Sequence, residues 1–459
     1  MIVHDSIFSW AASYDGPPFH SMLCDPPYHL TSITKRFGKA TSAQAQGGVY
    51  ARQAKGFMGR TWDGGDVAFQ ADTWATLGQH LYPGAFGMAC AGSRGWHRMA
   101  CAMEDAGLII HPTIFCWAYS SGFPKATRID TQLDRSAGAP WEGYRYGLQA
   151  LKPAVEPIIV FQRPYAGRPV ASIATTGAGA LNIKGGSIPT VDTVRTYGIH
   201  RGDDPVTSFL TGANQPFDAS DRSERWPANL ALCHHPACTD ARCHLDCTVQ
   251  AMAIQHGDGE LSGGSSAGHM QQHMAYADTG TVARYFYQAD WTLDRLEAAD
   301  LVGYYAKAST SEREAGLDPL LCRLMEGDTF GESTVADGRK TPINNPYQRG
   351  TTPRRNIHPT IKPLSLMRWL ATLLLPPAPY APRRLLVPFA GTGSEMIGAR
   401  LAGWDEVLGI ELEADHVAIA KARIAYWEQQ RHRFMHGQPI TVRIDRTNAP
   451  TLFDEEVMT

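Results

Sequence analysis

The stretch Leu385-Leu-Val-Pro-Phe-Ala-Gly-Thr-Gly-Ser394 decides the fold. Its apolar start predicts a buried strand over 384–388, and the spacing that follows predicts a helix over 394–402. Gly391 and Gly393 permit a tight turn between the two and let a ligand approach the backbone closely. The free N–H groups that begin the helix suit a carboxylate or a phosphate. An ordinary strand-to-helix turn that needs glycine is the alternative interpretation.

The same alternation continues downstream, with a strand predicted at 406–410 and a helix at 414–429. Glu411 ends that strand near the offset of about 20 residues at which an acidic side chain accepts hydrogen bonds from ribose hydroxyls. The turn reads Gly-x-Gly, without the third glycine of a dinucleotide site and without the Gly-Lys-Ser/Thr of a P-loop. The pattern therefore indicates a nucleoside-like ligand but fits neither of those sites.

Toward the N-terminus, strands are predicted at 20–24, 85–91, 108–117 and 157–163, and helices at 71–82 and 94–106. This alternation favours a mostly parallel sheet with helices on its faces. In residues 166–350 the alternation of predicted strands and helices stops. This region is rich in Gly, Ser, Thr and Asp, which indicates an insertion with long loops. We therefore divide the chain into a first α/β half at 1–165, the inserted region 166–350, a second α/β half at 351–430 and an appendage at 431–459. The second half begins with a helix predicted at 364–375.

A second motif, Asp25-Pro26-Pro27-Tyr28, follows the first apolar strand. The two prolines fix φ and stiffen the turn, so a carboxylate and an aromatic ring are held at the carboxyl edge of the sheet. This arrangement suits a planar amine, whose N–H groups a carboxylate and a backbone carbonyl can accept while Tyr28 stacks on its face. A plain proline-rich turn is the alternative.

Taken together, the two motifs resemble those of the amino-methyltransferases that modify adenine N6 or cytosine N4 in DNA with S-adenosylmethionine. The order, with Asp25-Pro-Pro-Tyr28 first and Phe389-Ala-Gly-Thr-Gly-Ser394 much later, resembles the circularly permuted β group of phage and bacterial enzymes. His358-Pro-Thr-Ile-Lys-Pro363 is similar to the HPTxKP element of that family. One departure is Val387, where many relatives carry Asp before Pro-Phe.

The resemblance implies a Rossmann-like methyltransferase sheet with helices on both faces and an inserted target-recognition region. It also implies methyl transfer to the N6 of a flipped-out adenine, with cytosine N4 and a catalytically silent DNA-binding relative as alternatives. RNA and protein amide methyltransferases are disfavoured because relatives that modify glutamine usually carry Asn at the position of Asp25. The implied catalytic residues are Asp25, Pro26, Pro27 and Tyr28. The implied cofactor-binding residues are Asp5, Asp25, His358, Thr360, Lys362, Phe389, Gly391, Thr392, Gly393, Ser394 and Glu411.

Two windows that lack acidic residues adjoin these motifs, at 29–60 and 339–362. Because they border the predicted site, we expect them to contact DNA phosphates, although solvated loops would have the same composition. The candidate contacts are Lys35, Arg36, Lys39, Arg52, Lys55, Arg354 and Arg355.

Four cysteines, Cys233, Cys238, Cys243 and Cys247, lie close together in the inserted region, with histidines between them. Such a density of thiolate and imidazole groups suits a structural zinc ion, but the spacing lacks the tight Cys-x2-Cys pairs of well-known zinc fingers. Unligated thiols in a loop are the alternative.

Net charge and hydropathy restrict how the chain could contact nucleic acid or a membrane. The 459 residues carry a net charge of −3, so the chain is not a polycation and contacts with nucleic acid must be local. No apolar run is long enough to span a bilayer and no secretory signal is visible, so we expect a cytoplasmic protein. The resemblance implies a bacterial or phage origin and double-stranded DNA as the substrate. A homodimer and a cognate restriction endonuclease are partners that the resemblance suggests.

Overall fold

The computed structural model describes residues 1–28, 66–119, 125–133, 139–194, 222–233, 247, 249–250, 252, 286–289, 310–317, 356, 358 and 361–435. We number its elements in chain order. The strands are β1 Ile2–His4, β2 Phe19–Cys24, β3 Leu81–Cys90, β4 Ile109–Ile110, β5 Phe115–Ala118, β6 Lys125–Arg128, β7 Arg145–Gln149, β8 Val155–Gln162, β9 Ile188–Val194, β10 Arg222–Arg225, β11 Leu230–Cys233, β12 Tyr287–Ala289, β13 Arg384–Pro388 and β14 Glu406–Glu411. The helices are α1 Ile7–Ser13, α2 Ala71–Gly78, α3 Trp96–Asp105, α4 Pro169–Thr176, α5 Thr310–Glu314, α6 Leu364–Leu374, α7 Ser394–Ala402 and α8 Ala414–Met435.

One central sheet joins both ends of the chain. Its strands follow the order β1-β14-β13-β2-β3-β8-β5-β11-β12, and β4 pairs with β8 beside this path. Every pairing along the path is parallel except the two made by β8, which runs against its neighbours. The expected mixed α/β fold with a mostly parallel sheet is therefore confirmed.

Helices cover both faces of this sheet, which explains why its central strands are apolar throughout. On one face α6 and α7 pack on Leu23, Met88 and Leu385, and on the other α1, α2 and α3 pack on Met22, Ala89 and Leu386. Adjacent residues of a strand point to opposite faces, so Met22 and Leu23 enter different cores. Both layers are needed to bury the sheet.

The predicted boundaries around the glycine-rich turn match β13 and α7, whereas the single strand predicted at 108–117 is wrong. That segment forms β4 and β5, which pair with different parts of β8. Pro112 lies between the two strands, and a proline cannot donate a hydrogen bond to the ladder, so the apolar run is interrupted there.

The region predicted as an insertion contributes to the central sheet. Leu230 pairs with Cys116 of β5, and Ala231 pairs with Tyr287, so β11 and β12 extend the sheet at its far end. A separate two-stranded ribbon, β9 with β10, also lies in this region. The region boundaries at 165 and 350 remain a prediction.

No helix in these described ranges is long and apolar enough to cross a membrane.

Candidate functional site

The two sequence motifs meet at the carboxyl edge of the sheet. Strands β2 and β13 are neighbours, with Leu385 opposite Ser21 and Leu386 opposite Met22. Because the strands are parallel, Asp25 after β2 and Phe389 after β13 leave the sheet at the same edge. Segments from opposite ends of the chain thus meet at one edge of the sheet, which is where open α/β sheets bind their ligands. This edge, with Asp25 on one side and the glycine-rich turn on the other, is called the cleft below.

A compact charge cluster surrounds Asp25. The Nζ of Lys362 donates to Asp25 Oδ2 over 2.6 Å and to the Tyr28 hydroxyl over 2.9 Å. The same hydroxyl donates to Glu156 Oε2 over 3.1 Å, and that oxygen lies 3.7 Å from Lys362 Nζ. The Lys362 side chain is only 5% exposed, so the charge of Lys362 is balanced locally by two carboxylates.

Burial and charge act in opposite directions on Lys362. Burial alone would lower the pKa of this ammonium, but the carboxylates of Asp25 and Glu156 outweigh it and raise the pKa above its usual value. The pKa of Tyr28 is raised well above its usual value, mainly by burial and then by the same carboxylates. The cluster therefore holds a cationic lysine and a neutral phenol, which can both donate hydrogen bonds.

The ring of Tyr28 is positioned by a glycine on the neighbouring strand end. A Cβ added at Gly92 would lie 2.9 Å from Cδ2 of Tyr28, closer than real Cβ contacts allow. Gly92 lies just beyond the end of β3, so the close packing of ring on backbone sets where Tyr28 stands in the cleft.

The glycine-rich turn is left-handed at its two glycines, as the sequence predicts, and also at Phe389, which the sequence did not single out. Phe389, Gly391 and Gly393 all have positive φ, of 57°, 50° and 82°. Glu411 accepts the Gly391 N–H at Oε2 over 2.7 Å and the Glu413 N–H at Oε1 over 2.9 Å. The carboxylate at the end of β14 thus fixes the turn after β13 while remaining at the edge of the cleft.

A buried arginine of α8 fixes the glycine-rich turn through hydrogen bonds. Arg423 of α8 donates from one nitrogen to the carbonyl of Thr392 over 2.6 Å, to the Thr392 hydroxyl over 3.1 Å and to the Ser394 hydroxyl over 3.3 Å. Arg423 therefore engages both hydroxyls and fixes the turn to α8. The predicted cofactor contacts of Thr392 and Ser394 stay predictions.

His358 lies above the turn. Its Nε2 would be 3.4 Å from a Cβ at Gly391, and its ring is 4.7 Å from that of His416, measured between centroids. The backbone N–H of His358 donates to Asn356 Oδ1, and Asn356 in turn donates to the Arg313 carbonyl. Helix α5 thus braces the segment that carries His358 and Lys362.

Two further carboxyl groups stand near the turn. Asp5 follows β1, donates its N–H to the Glu411 carbonyl over 3.0 Å and accepts the Ser6 N–H at Oδ1. Glu395 lies in the first turn of α7 and is buried; burial, followed by the charge of Asp25, raises its pKa to about 7. Burial and the nearby charge of Asp25 therefore both favour the protonated form of Glu395.

The structure brings most of the predicted catalytic and cofactor-binding residues to this one edge. Thr360 lies outside the described residues. So do all the predicted DNA contacts, which are Lys35, Arg36, Lys39, Arg52, Lys55, Arg354 and Arg355.

The predicted zinc ligands are only partly described. Cys233 ends β11 and is buried; its Sγ accepts a hydrogen bond from Trp117 Nε1 over 2.8 Å, and burial raises its pKa to about 12. Cys247 is also buried, whereas Cys238 and Cys243 lie outside the described residues. Among the residues with described positions, no group of three or more His, Cys, Asp or Glu could hold a metal ion, and zinc remains a prediction.

Three residues of the site were not found from the sequence. Glu156 is a lone carboxylate at the start of the apolar strand β8, and a charge inside such a strand is the signal that could have revealed it. Arg423 lies on the buried stripe of α8 with Ala420 and Trp427, at helical spacing. Glu395 carried no signal of its own, because an acidic residue in the first turn of a helix is common.

A cavity of about 570 Å³ lies at the opposite edge of the sheet. It is lined by residues that begin strands, including Arg384 and Glu406, and by Met396 and Arg400 of α7. Because it opens at the amino ends of the parallel strands, it is separate from the cleft that the motifs border.

No model of a known protein family matches the chain, and no curated protein matches it. Among solved structures, it is similar to M1.HpyAVI in complex with SAM, at 10% identity over 92% of this chain and 98% of that one, with a TM-score of 0.33. It is also similar to PvuII DNA methyltransferase (cytosine-N4-specific), at 10% identity over 95% and 93%, with a TM-score of 0.36. A third is TTHA0409 from Thermus thermophilus complexed with S-adenosyl-L-methionine, at 11% identity over 93% and 93%, with a TM-score of 0.33. Similarity at this level does not identify a family.

Proposed function

We propose that the chain is an S-adenosylmethionine-dependent methyltransferase that modifies the exocyclic N6 of adenine in double-stranded DNA. The observation that carries the proposal is the placement of Asp25 beside the glycine-rich turn, at the carboxyl edge that β2 and β13 share. One segment offers an acceptor for an amine and the other a cradle for a nucleoside-like cofactor, so both reactants would meet in one cleft.

The residues at the turn fit the proposed cofactor. Glu411 stands at the end of β14, where an acidic side chain accepts hydrogen bonds from ribose hydroxyls. Its oxygens have capacity beyond the two backbone N–H groups that they accept and the His416 Nδ1 that lies 3.5 Å from Oε1. A Cβ at Gly391 would lie 3.4 Å from His358 Nε2, so the turn and this imidazole border the same part of the proposed cofactor site. When bound, the cofactor would supply an electrophilic methyl group on a sulfonium.

Asp25 and the Pro26 carbonyl would accept the two hydrogens of the amine. An exocyclic amine is a poor nucleophile because its lone pair is delocalised into the ring. Accepting both hydrogens draws the nitrogen toward sp³ geometry and localises the lone pair, so the contribution of the protein is positioning and electrostatic stabilisation. A stacked, paired base cannot reach the cleft, so the target base would flip out and stack on Tyr28.

The basic windows at 29–60 and 339–362 would contact phosphates, and the inserted region 166–350 would read the target sequence. These assignments rest on composition and on their position next to the motifs. A cytoplasmic location, a homodimer, a cognate restriction endonuclease and a structural zinc ion belong to the same proposal.

Mass spectrometry of methylated nucleosides tests the proposal. DNA from a methylation-free host, incubated with the purified chain and S-adenosylmethionine, should yield N6-methyladenosine in its deoxy form. N4-methylcytosine would move the assignment to the alternative acceptor, since both amines present the same two hydrogens. The absence of any methylated base would leave the chain a catalytically silent relative and would overturn the proposal.

A further inference from the structure

The two oxygens of the Asp25 carboxylate have different surroundings. Oδ2 accepts a hydrogen bond from the Lys362 ammonium over 2.6 Å. Oδ1 is buried and has no hydrogen-bond partner among the residues that the structure describes. A buried acceptor without a donor is costly, so an ionised carboxylate in this state is prepared for a donor that arrives with a ligand.

We infer that Lys362 is a positioning residue that places a positive charge beside Asp25 and orients its carboxylate through Oδ2, so that Oδ1 is the atom that accepts a hydrogen of the target amine. The inference rests on the proposed function and assigns to Lys362 a role at the acceptor side of the cleft. It differs from the cofactor contact that the sequence suggested for this residue.

Several acidic groups lie near Asp25, and the positive charge of Lys362 offsets their repulsion. Asp25 faces Glu156 through the shared ammonium, and Glu395 and the buried thiols of Cys24 and Cys90 lie within electrostatic range. The neighbouring phenols of Tyr28 and Tyr119 both interact with Glu156. Without a cation, two carboxylates and a third acidic group would share a partly buried site, and like charges there favour protonation. A protonated Asp25 could no longer accept at both oxygens.

Lys362 also fixes the direction of the carboxylate. Its Nζ bonds both Asp25 Oδ2 and the Tyr28 hydroxyl, and it lies 5.0 Å from the centre of the Tyr28 ring. One ammonium therefore sets the acceptor and the stacking ring relative to each other. A charge-assisted hydrogen bond of this kind restricts rotation of the carboxylate more than a neutral one would.

Three variants test the inference in the full-length chain: K362M removes the charge, K362R retains it, and E156Q removes one competing negative charge. Labelled-methyl transfer to DNA would be measured from about pH 5.5 to about pH 9 at saturating cofactor, with cofactor affinity and melting temperature as controls for folding. In K362M the acidic limb of the pH–activity profile should move to higher pH by about one unit or more, which means at least a tenfold loss on the acidic side. In E156Q the same limb should move to lower pH, and in K362R it should stay near the wild-type position while kcat falls.

Opposite shifts in K362M and E156Q cannot arise from loosened packing alone. The inference is overturned if folded K362M keeps the wild-type profile or loses activity equally at every pH. If K362M does not fold, the inference is overturned when E156Q leaves the limb in place or moves it upward. Failure of the wild-type chain to transfer any methyl group would instead refute the proposed function, so the two failures are distinguishable.

Discussion

Replacing Gly391 with alanine tests the cradle at the glycine-rich turn. Gly391 has φ of +50°, and an alanine in the left-handed region costs about 1–2 kcal/mol. The added Cβ would also stand 3.4 Å from His358 Nε2, in the space where the turn faces the cleft. We expect G391A to lose about 1–2 kcal/mol of unfolding free energy and at least about tenfold in affinity for S-adenosylmethionine, which corresponds to about 1.4 kcal/mol.

The matched control is Gly403 at the other end of the same helix. It too has positive φ, of 102°, but a Cβ there would meet nothing closer than Leu375 Cδ2 at 3.9 Å. G403A should therefore lose at least as much unfolding free energy as G391A and keep the wild-type affinity for the cofactor. Urea unfolding and isothermal titration calorimetry measure the two quantities. The reasoning is refuted if G391A binds the cofactor normally, or if G403A loses as much affinity as G391A does.

Three further predictions concern other residues of the site. E411Q leaves one backbone N–H of the turn without a carboxylate oxygen, so it should lose about 1–3 kcal/mol of unfolding free energy and bind S-adenosylmethionine more weakly; an unchanged urea midpoint would contradict this. Glu395 has its pKa raised from 4.5 to about 7, so the folded state holds its proton more tightly than the unfolded state and this carboxyl weakens folding as pH rises through that window. Urea unfolding at about pH 5 and about pH 8 should show a smaller pH dependence in E395Q than in wild type, and an equal dependence would count against the assignment. G92A pushes a Cβ to 2.9 Å from the Tyr28 ring, so it should reduce kcat for methyl transfer while cofactor affinity stays normal; full activity in G92A would show that the ring position is unimportant.

The sequence predicted best where local chemistry decides the structure. The bounds of β13 and α7 follow from an apolar run, two glycines with positive φ and a helical spacing, all within one short stretch. The strand predicted at 108–117 was wrong because the prediction followed the apolar pattern alone. Pro112 lies within that pattern and cannot donate a hydrogen bond to a neighbouring strand, so the segment forms two strands. The contribution of β11 and β12 to the central sheet was also missed, since pairing between distant segments depends on tertiary packing.

In the candidate site, too, local motifs could be predicted from the sequence, whereas contacts between distant residues could not. Each motif was recognised from its own residues, and their meeting at one edge follows from parallel strands. The ion pair between Lys362 and Asp25 could not be predicted in this way, because it joins residues from opposite ends of the chain and depends on how α5 braces the segment before α6. Long-range side-chain contacts of this kind carry no local pattern in the sequence.

The central claim is that Asp25 and the glycine-rich turn belong to one catalytic cleft with separate tasks. The most direct measurement is the transfer of a labelled methyl group from S-adenosylmethionine to DNA by the wild-type chain and by D25A, with cofactor affinity measured on the same preparations. The account predicts transfer by the wild type, and in D25A near-normal cofactor binding with transfer reduced by several orders of magnitude. Near-normal turnover in D25A would contradict it.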